Sequence, residues 1–265
     1  MDFGLNVLSN IIANLVTSLP IILGVWILLR RYSSVLKVWG IPILGRSQRS
    51  YTIIVSAEEY KPKRFQPFLD EIHGIIDLLG FFNDFWIRLV CRINIAKPQI
   101  PERINRDTLQ QTNLILVGGP TYNQVTQEHL TRLVKYGLSF AFQPREDGKC
   151  QLRDVIRGTT FDQHAVTTEA LHEGNYTDYG LFIKAPHVQE SLTVYIFAGC
   201  CASGTKGAVD VAIDPDLCRE LLAFKKKQQI GNYFVAVISV KVENFVPQHP
   251  KIEMIRAVAS THHLA

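Results

Sequence analysis

The sequence lacks the short motifs that identify several classes of enzyme and metal protein. It has no CxxC or HExxH, which are typical zinc-binding spacings, and no GxSxG, which marks the nucleophile of many hydrolases. It also has neither GxGxxG nor GxxxxGKS/T, the two common phosphate-binding loops. We therefore predict no metal site and no cofactor, and motifs alone identify no catalytic residue.

Net charge is small and unevenly placed. Of 28 basic and 24 acidic residues, the first 50 residues hold five and one, which leaves 23 of each in residues 51–265. A nucleic-acid-binding domain normally carries a basic surface. The zero net charge of the larger part argues against a nucleic-acid partner.

Cysteine is scarce, with five residues in 265, and the number is odd. The spacing shows no disulfide framework, so we expect reduced thiols. Cys200 and Cys201 lie in a turn of small residues, where a nucleophilic thiolate would need a base nearby. We interpret them as packed in a turn, since vicinal cysteines form strained disulfides.

The sequence begins with a long segment that has no charged residues after Asp2. Residues 5–29 contain no charged side chain, and Arg30 and Arg31 follow directly. Twenty-five helical residues span roughly 37 Å, enough for a ~30 Å hydrocarbon core. A cleaved signal peptide would have a basic start and a shorter apolar core. We therefore predict a transmembrane helix over residues 1–31. The basic residues behind it predict a single-pass inner-membrane protein with a cytoplasmic C-terminal domain.

A polar stripe runs along this segment. At 100° per residue its members fall within an arc of about 80°, and they are Asn6, Asn10, Asn14 and Thr17. Polar groups are costly against lipid, so the stripe indicates helix–helix association in a homo-oligomer, around either a packed or a wet interior. Alternatively, these first turns lie in the membrane interface and need no partner.

The rest of the chain divides into two parts. Residues 32–50 predict an interfacial neck, in which Tyr32 and Trp39 suit a membrane surface. Residues 51–265 alternate short apolar runs with amphipathic runs, and a hairpin or loop insertion is predicted near 144–178. This pattern predicts an α/β fold: a Rossmann-like, mainly parallel sheet with helices on both faces.

Two glycine-rich loops are candidates for a ligand site, because each follows an apolar strand and precedes a helix. Ligands of open α/β sheets bind beyond the carboxyl ends of the strands, where glycines let backbone amides approach an anion. The candidate residues are Gly118, Gly119, Pro120, Asn123 and Thr126 in the first loop, and Gly199, Ser203, Gly204, Thr205 and Lys206 in the second. Alternatively, the glycines only make tight turns and Asn123 caps a helix.

The runs LILVGGPTYNQVT, DYGLFIK and IFAGCCASGTKGA carry a resemblance to known proteins. They are similar to a GGPxxNxxT and AGxxxxGT pattern in uncharacterised bacterial and archaeal α/β modules. The layout also resembles bacterial defence effectors that join one transmembrane helix to a cytosolic Rossmann-like sensor of cyclic nucleotides. This resemblance implies a nucleotide-like ligand whose binding to an oligomeric sensor changes the membrane helices and permeabilises the membrane in antiviral defence.

Three functions remain open on the sequence. The first is a membrane protein that senses a nucleotide-like ligand and alters its oligomeric transmembrane helices. The second is a membrane-tethered hydrolase or glycosidase acting on a nucleotide, with Glu58 or Glu59 as acid–base group. The third is a structural adaptor without a small-molecule ligand.

Overall fold

A computed structural model shows one mixed β-sheet that is covered on both faces, with a small second sheet beside it. The structure describes residues 2–42, 48–56, 65–84, 87–88, 91–96, 98–100, 104–145, 150–162, 173–189 and 191–259. The strands in this part of the chain are β1 (Arg49–Val55), β2 (Ile93–Ile95), β3 (Asn113–Val117), β4 (Phe140–Pro144), β5 (Cys150–Asp154), β6 (Thr160–Asp162), β7 (Tyr176–Pro186), β8 (Thr193–Gly199), β9 (Phe234–Glu243), β10 (Val246–Pro247) and β11 (Lys251–Ala257).

The main sheet has a parallel half and an antiparallel half. Its order is β10-β9-β7-β8-β3-β1-β2, and β11 pairs with β9. Strands β2, β1, β3 and β8 run parallel. Strand β7 is antiparallel to both β8 and β9, and β10 and β11 are antiparallel to β9.

The prediction of a Rossmann-like, mainly parallel sheet is therefore wrong. The sheet is mixed and curls into a half-barrel. The physical reason lies in the chain between β7 and β8, which comprises only residues 187–192. A parallel pair needs a crossover of about a dozen residues or more, so these two strands must run antiparallel.

The described helices are α1 (Asp2–Trp39), α2 (Phe65–Asn83), α3 (Arg106–Gln111), α4 (Gln124–Val134), α5 (Ala202–Ile213) and α6 (Pro215–Lys227). Asp214 and Pro215 in the sequence predict the start of α6. The structure confirms this start, because the Asp214 carboxylate accepts the N–H groups of Asp216 and Leu217 at 2.8 and 3.0 Å. Three lysines end this helix, where cations complement its dipole. The apolar run of residues 87–93, IRLVCRI, predicts a strand, and this prediction is wrong for the most part, since Ile87, Arg88 and Cys91 are helical.

The last turns of α1 belong to the core of the sheet. Val35, Leu36, Val38 and Trp39 are at most 2% exposed. The Trp39 ring packs 4.4 Å from that of Tyr195, centroid to centroid, and its Nε1–H donates to the Ala212 carbonyl at 2.8 Å. The prediction that Trp39 lies at a membrane surface is therefore wrong.

The transmembrane helix predicted over residues 1–31 is also corrected. Within the described residues, no single helix is both long enough and apolar enough to cross a bilayer. One bent pair, Ser18–Ile27 and Arg30–Trp39, has the length and composition of a span when both segments are taken together, and it is bent by 60°. The inner-membrane location stays a prediction.

The small sheet is tied to the main sheet by a buried ion pair. Strands β4, β5 and β6 are antiparallel. The guanidinium of Arg256, on β11, donates to both carboxylate oxygens of Asp154 and to the Ser139 hydroxyl. Asp154 is fully buried, so this bidentate contact satisfies a carboxylate that water does not reach.

Candidate functional site

The two glycine loops meet at one edge of the main sheet. Strands β1, β3 and β8 are parallel neighbours that end there together. The Gly118 N–H donates to the Phe197 carbonyl at 2.9 Å. A methyl group on Gly119 would lie 3.0 Å from the Gly199 carbonyl oxygen. The structure therefore brings the predicted loops together. We call Gly118–Asn123 and Gly199–Thr205 the sheet-edge loops.

Ser56 lies at the same edge, directly after β1. Gly118 has a φ of +107°, and a Cβ there would lie 1.6 Å from the Ser56 Oγ. Both the backbone angle and the lack of space require glycine at position 118. Glu58 and Glu59, the predicted acid–base candidates, lie outside the described residues.

Asn123 is used by the turn that starts α4. Its Oδ1 accepts the Thr126 N–H at 3.1 Å, and its Nδ2 donates to the Val117 carbonyl at 3.2 Å. Both residues are fully buried. The helix-cap interpretation of Asn123 is thus confirmed. The buried Thr126 hydroxyl has no hydrogen-bond partner within the described part of the chain. Pro120 is half-buried, and the exposed members of this loop are Thr121 and Tyr122.

The N-terminus of α5 is occupied by a carboxylate of the protein itself. Asp178, fully buried on β7, accepts the N–H of Cys201 at 3.2 Å and that of Gly204 at 2.6 Å. It also accepts the Tyr179 N–H at 2.8 Å. A helix N-terminus attracts anions because its N–H groups are unpaired. Asp178 accepts two of those groups here, and its negative charge opposes a phosphate in the second loop.

Tight packing between β7 and α5 puts Asp178 in this position. A Cβ on Gly204 would lie 2.3 Å from the Tyr179 carbonyl oxygen, so only glycine allows the approach. Ser203 and Thr205 are buried in the same turn. No sequence pattern predicts this role of Asp178, because its two partners in the α5 turn are 23 and 26 residues away along the chain.

Lys206 is paired with two carboxylates. Its Nζ lies 2.8 Å from the Asp210 carboxylate and 3.4 Å from that of Asp77 on α2. Although burial opposes it, the Asp210 carboxylate raises the pKa of Lys206. Its charge is paired on the helix face that meets α2, and the contribution of Lys206 to a ligand site stays a prediction.

The side chains around Cys200 do not favour nucleophilic or metal chemistry. Its hydrogen bond with Cys150, together with burial, raises the pKa of the Cys200 thiol well above its ordinary value. Burial lowers the pKa of His129 to about 4, and its ring lies 6.3 Å from that of His187. Two further histidines that could serve as a base, His164 and His172, lie outside the described residues. Among the residues described, no three His, Cys, Asp or Glu side chains gather as a metal site requires.

The polar stripe keeps its status as a prediction. Asn6, Asn10, Asn14 and Thr17 are part of α1, but their side chains lie outside the described part of the structure. Helix–helix association and the homo-oligomer are therefore predictions still.

One buried lysine that sequence reasoning missed holds the end of α1. Lys184, on β7, is 1% exposed, and its Nζ donates to the Val38 carbonyl and to the Asn232 Oδ1, both at 2.9 Å. The Tyr195 hydroxyl donates to the next carbonyl, that of Trp39. Burial lowers the pKa of Lys184 to about 7. The signal was a lysine within an otherwise apolar strand, GLFIKAP.

No protein-family model and no curated protein matches this sequence. The fold and the site define a mixed α/β domain in which a long apolar helix is anchored by Trp39 and Lys184. The sheet-edge loops lie at the opposite ends of the strands that hold this anchor.

Proposed function

We propose that the protein is a membrane-associated sensor in which a ligand at the sheet-edge loops changes the packing of α1. One observation carries this proposal: Trp39 packs on β1 and β8, the strands that end at the candidate site. Its ring centroid lies 6.4 Å from that of Tyr51 and 6.0 Å from that of Phe197. From Tyr51 to Ser56 the chain rises about 16 Å along one strand.

Lipid is the partner that best suits the outer part of α1. Large apolar side chains there are at least 45% exposed, and they are Val16, Leu19, Ile22, Leu23, Trp26 and Ile27. At 100° per residue these positions share an arc of about 140°. A continuous apolar face of this kind marks an interaction surface.

The charges at the end of this face support the same partner. The guanidinium of Arg30 lies 5.3 Å from the Trp26 ring and that of Arg31 lies 5.1 Å from the Tyr32 ring, measured to the centroids. Aromatic and basic residues together are typical of the region of lipid headgroups.

The ligand is recognised through rings and hydroxyls rather than through a phosphate cradle. Asp178 already occupies the α5 amides, and its charge opposes a phosphate there. Tyr122, 40% exposed, offers a ring on which a nucleobase can stack. Thr121 and Ser56 supply hydroxyls. A nucleotide-like ligand would therefore bind by its nucleoside part.

Flotation with vesicles of phosphatidylethanolamine and phosphatidylglycerol tests the lipid step. The full chain should float, and the variant Leu23→Glu/Ile27→Glu should stay with the soluble fraction. The control Val155→Glu/Ile156→Glu introduces the same two charges at sites that are 62% and 75% exposed in the turn between β5 and β6, and it should float. A wild-type chain that does not float contradicts lipid association, as does a double variant that floats equally well.

Thermal unfolding of the full chain in nanodiscs tests the ligand step, with a panel of nucleosides, nucleotides and cyclic dinucleotides. A ligand at 100 times its dissociation constant adds about 2.7 kcal/mol to the free energy of unfolding. Tyr122→Ala should remove this shift, whereas Tyr122→Phe, which keeps the ring, should retain most of it. Product formation in a mixture in which the unfolding temperature of the protein rises would instead indicate an enzyme.

Tryptophan fluorescence tests the coupling. With Trp26→Phe and Trp86→Phe, only Trp39 remains to report on the core end of α1. A ligand that changes the packing of α1 must prefer one of two arrangements, so it should shift the Trp39 emission. A ligand that stabilises the protein and leaves this emission unchanged would refute the sensor.

A further inference from the structure

We propose that Lys184, Lys225 and Arg49 form a binding site for a diphosphate group beside the end of α1. The site lies at the opposite ends of the strands from the sheet-edge loops, so it does not depend on the function proposed above. It rests on three cationic side chains, from β7, α6 and β1, that the fold brings to the same place.

Gly40, the residue that directly follows α1, joins two of the three cations. A Cβ on Gly40 would lie 2.9 Å from the Lys184 Nζ. The Arg49 Nη1 donates to the Gly40 carbonyl at 2.9 Å. Because one small residue contacts both groups, the buried ammonium and the guanidinium are close neighbours.

Phe234 places the third cation on the other side of Lys184. Residues 184 and 234 pair directly across β7 and β9, so their side chains stand next to each other on the same face of the sheet. The Lys225 Nζ lies 4.6 Å from the centroid of the Phe234 ring. Lys225 is therefore separated from Lys184 by about one aromatic side chain.

The end of the Lys184 side chain lies near the surface, although the residue as a whole is only 1% exposed. Its Nζ donates to the Asn232 Oδ1 at 2.9 Å, and both Asn232 and Gly40 are exposed. Lys225 and Arg49 are half-buried beside it. A lysine ammonium has three N–H groups, and the contacts with the Val38 carbonyl and Asn232 use two. One N–H therefore remains for a ligand.

The cluster carries positive charge that the protein does not balance. Within the described part of the chain, no ion pair joins Lys184, Lys225 or Arg49 to a carboxylate. Burial and then the charges of Lys225 and Arg49 lower the pKa of Lys184 to about 7. An anion bound here would remove this repulsion, and Lys184 would take up a proton as the anion binds.

The arrangement favours an anion with two phosphoryl groups over one with a single group. In the sheet, β7 lies between β9, which carries Phe234 under Lys225, and β1, which carries Arg49. The two outer cations therefore approach Lys184 from opposite sides. A diphosphate presents oxygens at both of its ends, and the Arg49 fork suits two oxygens of one group while the lysines act as point charges.

Thermal unfolding of the full chain in detergent tests the site, with inorganic pyrophosphate as the probe in a buffer without divalent cations. Pyrophosphate should raise the unfolding temperature in a saturable manner. Inorganic phosphate and sulfate at the same ionic strength should leave it unchanged. The absence of a shift at millimolar pyrophosphate would overturn the proposal, and so would equal shifts with all three anions.

Matched variants locate the binding. Lys225→Met keeps an apolar stem on Phe234 but removes the charge, so the apparent dissociation constant for pyrophosphate should rise about tenfold or more. Arg49→Gln should weaken binding in the same way. Lys226→Met removes a charge from the exposed neighbouring position, and Tyr122→Ala changes the sheet-edge loops; both should bind as the wild type does. Wild-type affinity in Lys225→Met and Arg49→Gln would contradict the site.

Farnesyl diphosphate, which carries the same group on an apolar chain, identifies the source of the diphosphate. An affinity equal to that of pyrophosphate supports the site and assigns a soluble ligand. A tighter affinity that Lys225→Met weakens supports the site and assigns a diphosphate lipid. Binding of farnesyl diphosphate that Lys225→Met and Arg49→Gln both leave unchanged would contradict the proposal.

Discussion

Replacement of Asp178 by asparagine would test whether this carboxylate closes the N-terminus of α5. The substitution keeps the size of the side chain but leaves one acceptor oxygen for three N–H groups, those of Tyr179, Cys201 and Gly204. The lost hydrogen bond to a charged group contributes about 1.5–3 kcal/mol. The lost negative charge at the helix terminus adds about 0.3–1 kcal/mol. We expect the free energy of unfolding to fall by roughly 2–4 kcal/mol.

Urea unfolding of the full chain in detergent, followed by tryptophan fluorescence, measures this change. Asp216→Asn is the control, because it makes the same exchange at a side chain that is 76% exposed, and it should change the stability by less than about 1 kcal/mol. Asp178→Ala opens the helix terminus, so phosphate should stabilise this variant and leave the wild type unchanged. An Asp178→Asn variant that is as stable as the wild type would refute the reasoning. So would a phosphate stabilisation of the wild type that equals that of Asp178→Ala.

Three further predictions concern the anchor of α1 and the small sheet. Burial lowers the pKa of Lys184 to about 7, so the unfolded chain holds a proton that the folded one has released. Stability should therefore rise from pH 7 toward pH 10, and Lys184→Met should flatten this rise in unfolding midpoints measured at each pH. Arg256→Met leaves the Asp154 carboxylate buried without its cation, and urea unfolding should show a loss of about 3–5 kcal/mol that added Asp154→Asn largely restores. Trp39→Ala opens a cavity under the sheet and should lower the unfolding free energy, measured the same way, by about 3–5 kcal/mol.

Much of the fold could be predicted where local signals dominate. The helix start at Asp214 and Pro215 needs only neighbouring residues, and the structure confirms it. The antiparallel direction of β7 and β8 could also be predicted from the sequence, since the six residues between them are too few for a crossover. Apolar strands and alternating helices suggested a parallel sheet, and the length of this connection was the signal that decides against it.

The candidate site shows where sequence reasoning stops. The two loops were predicted to meet, and they do, because parallel neighbours end at the same edge. Whether their groups are available depends on distant partners. Asp178 comes from another strand, and no pattern predicts that it fills the helix terminus. Lys206 differs, because Asp210 stands one helical turn away and this pairing could be predicted from spacing alone.

The anchor of α1 has a consequence for biosynthesis. The groups that hold its end lie 146, 156 and 173 residues further along the chain, at Lys184, Tyr195 and Ala212. The ribosome therefore makes the helix first and its binding site last. Until those residues are synthesised, the domain cannot bind the end of α1, and the apolar segment is accessible to lipid and to chaperones. For the membrane association proposed above, this order of synthesis lets lipid bind the segment before the domain is complete.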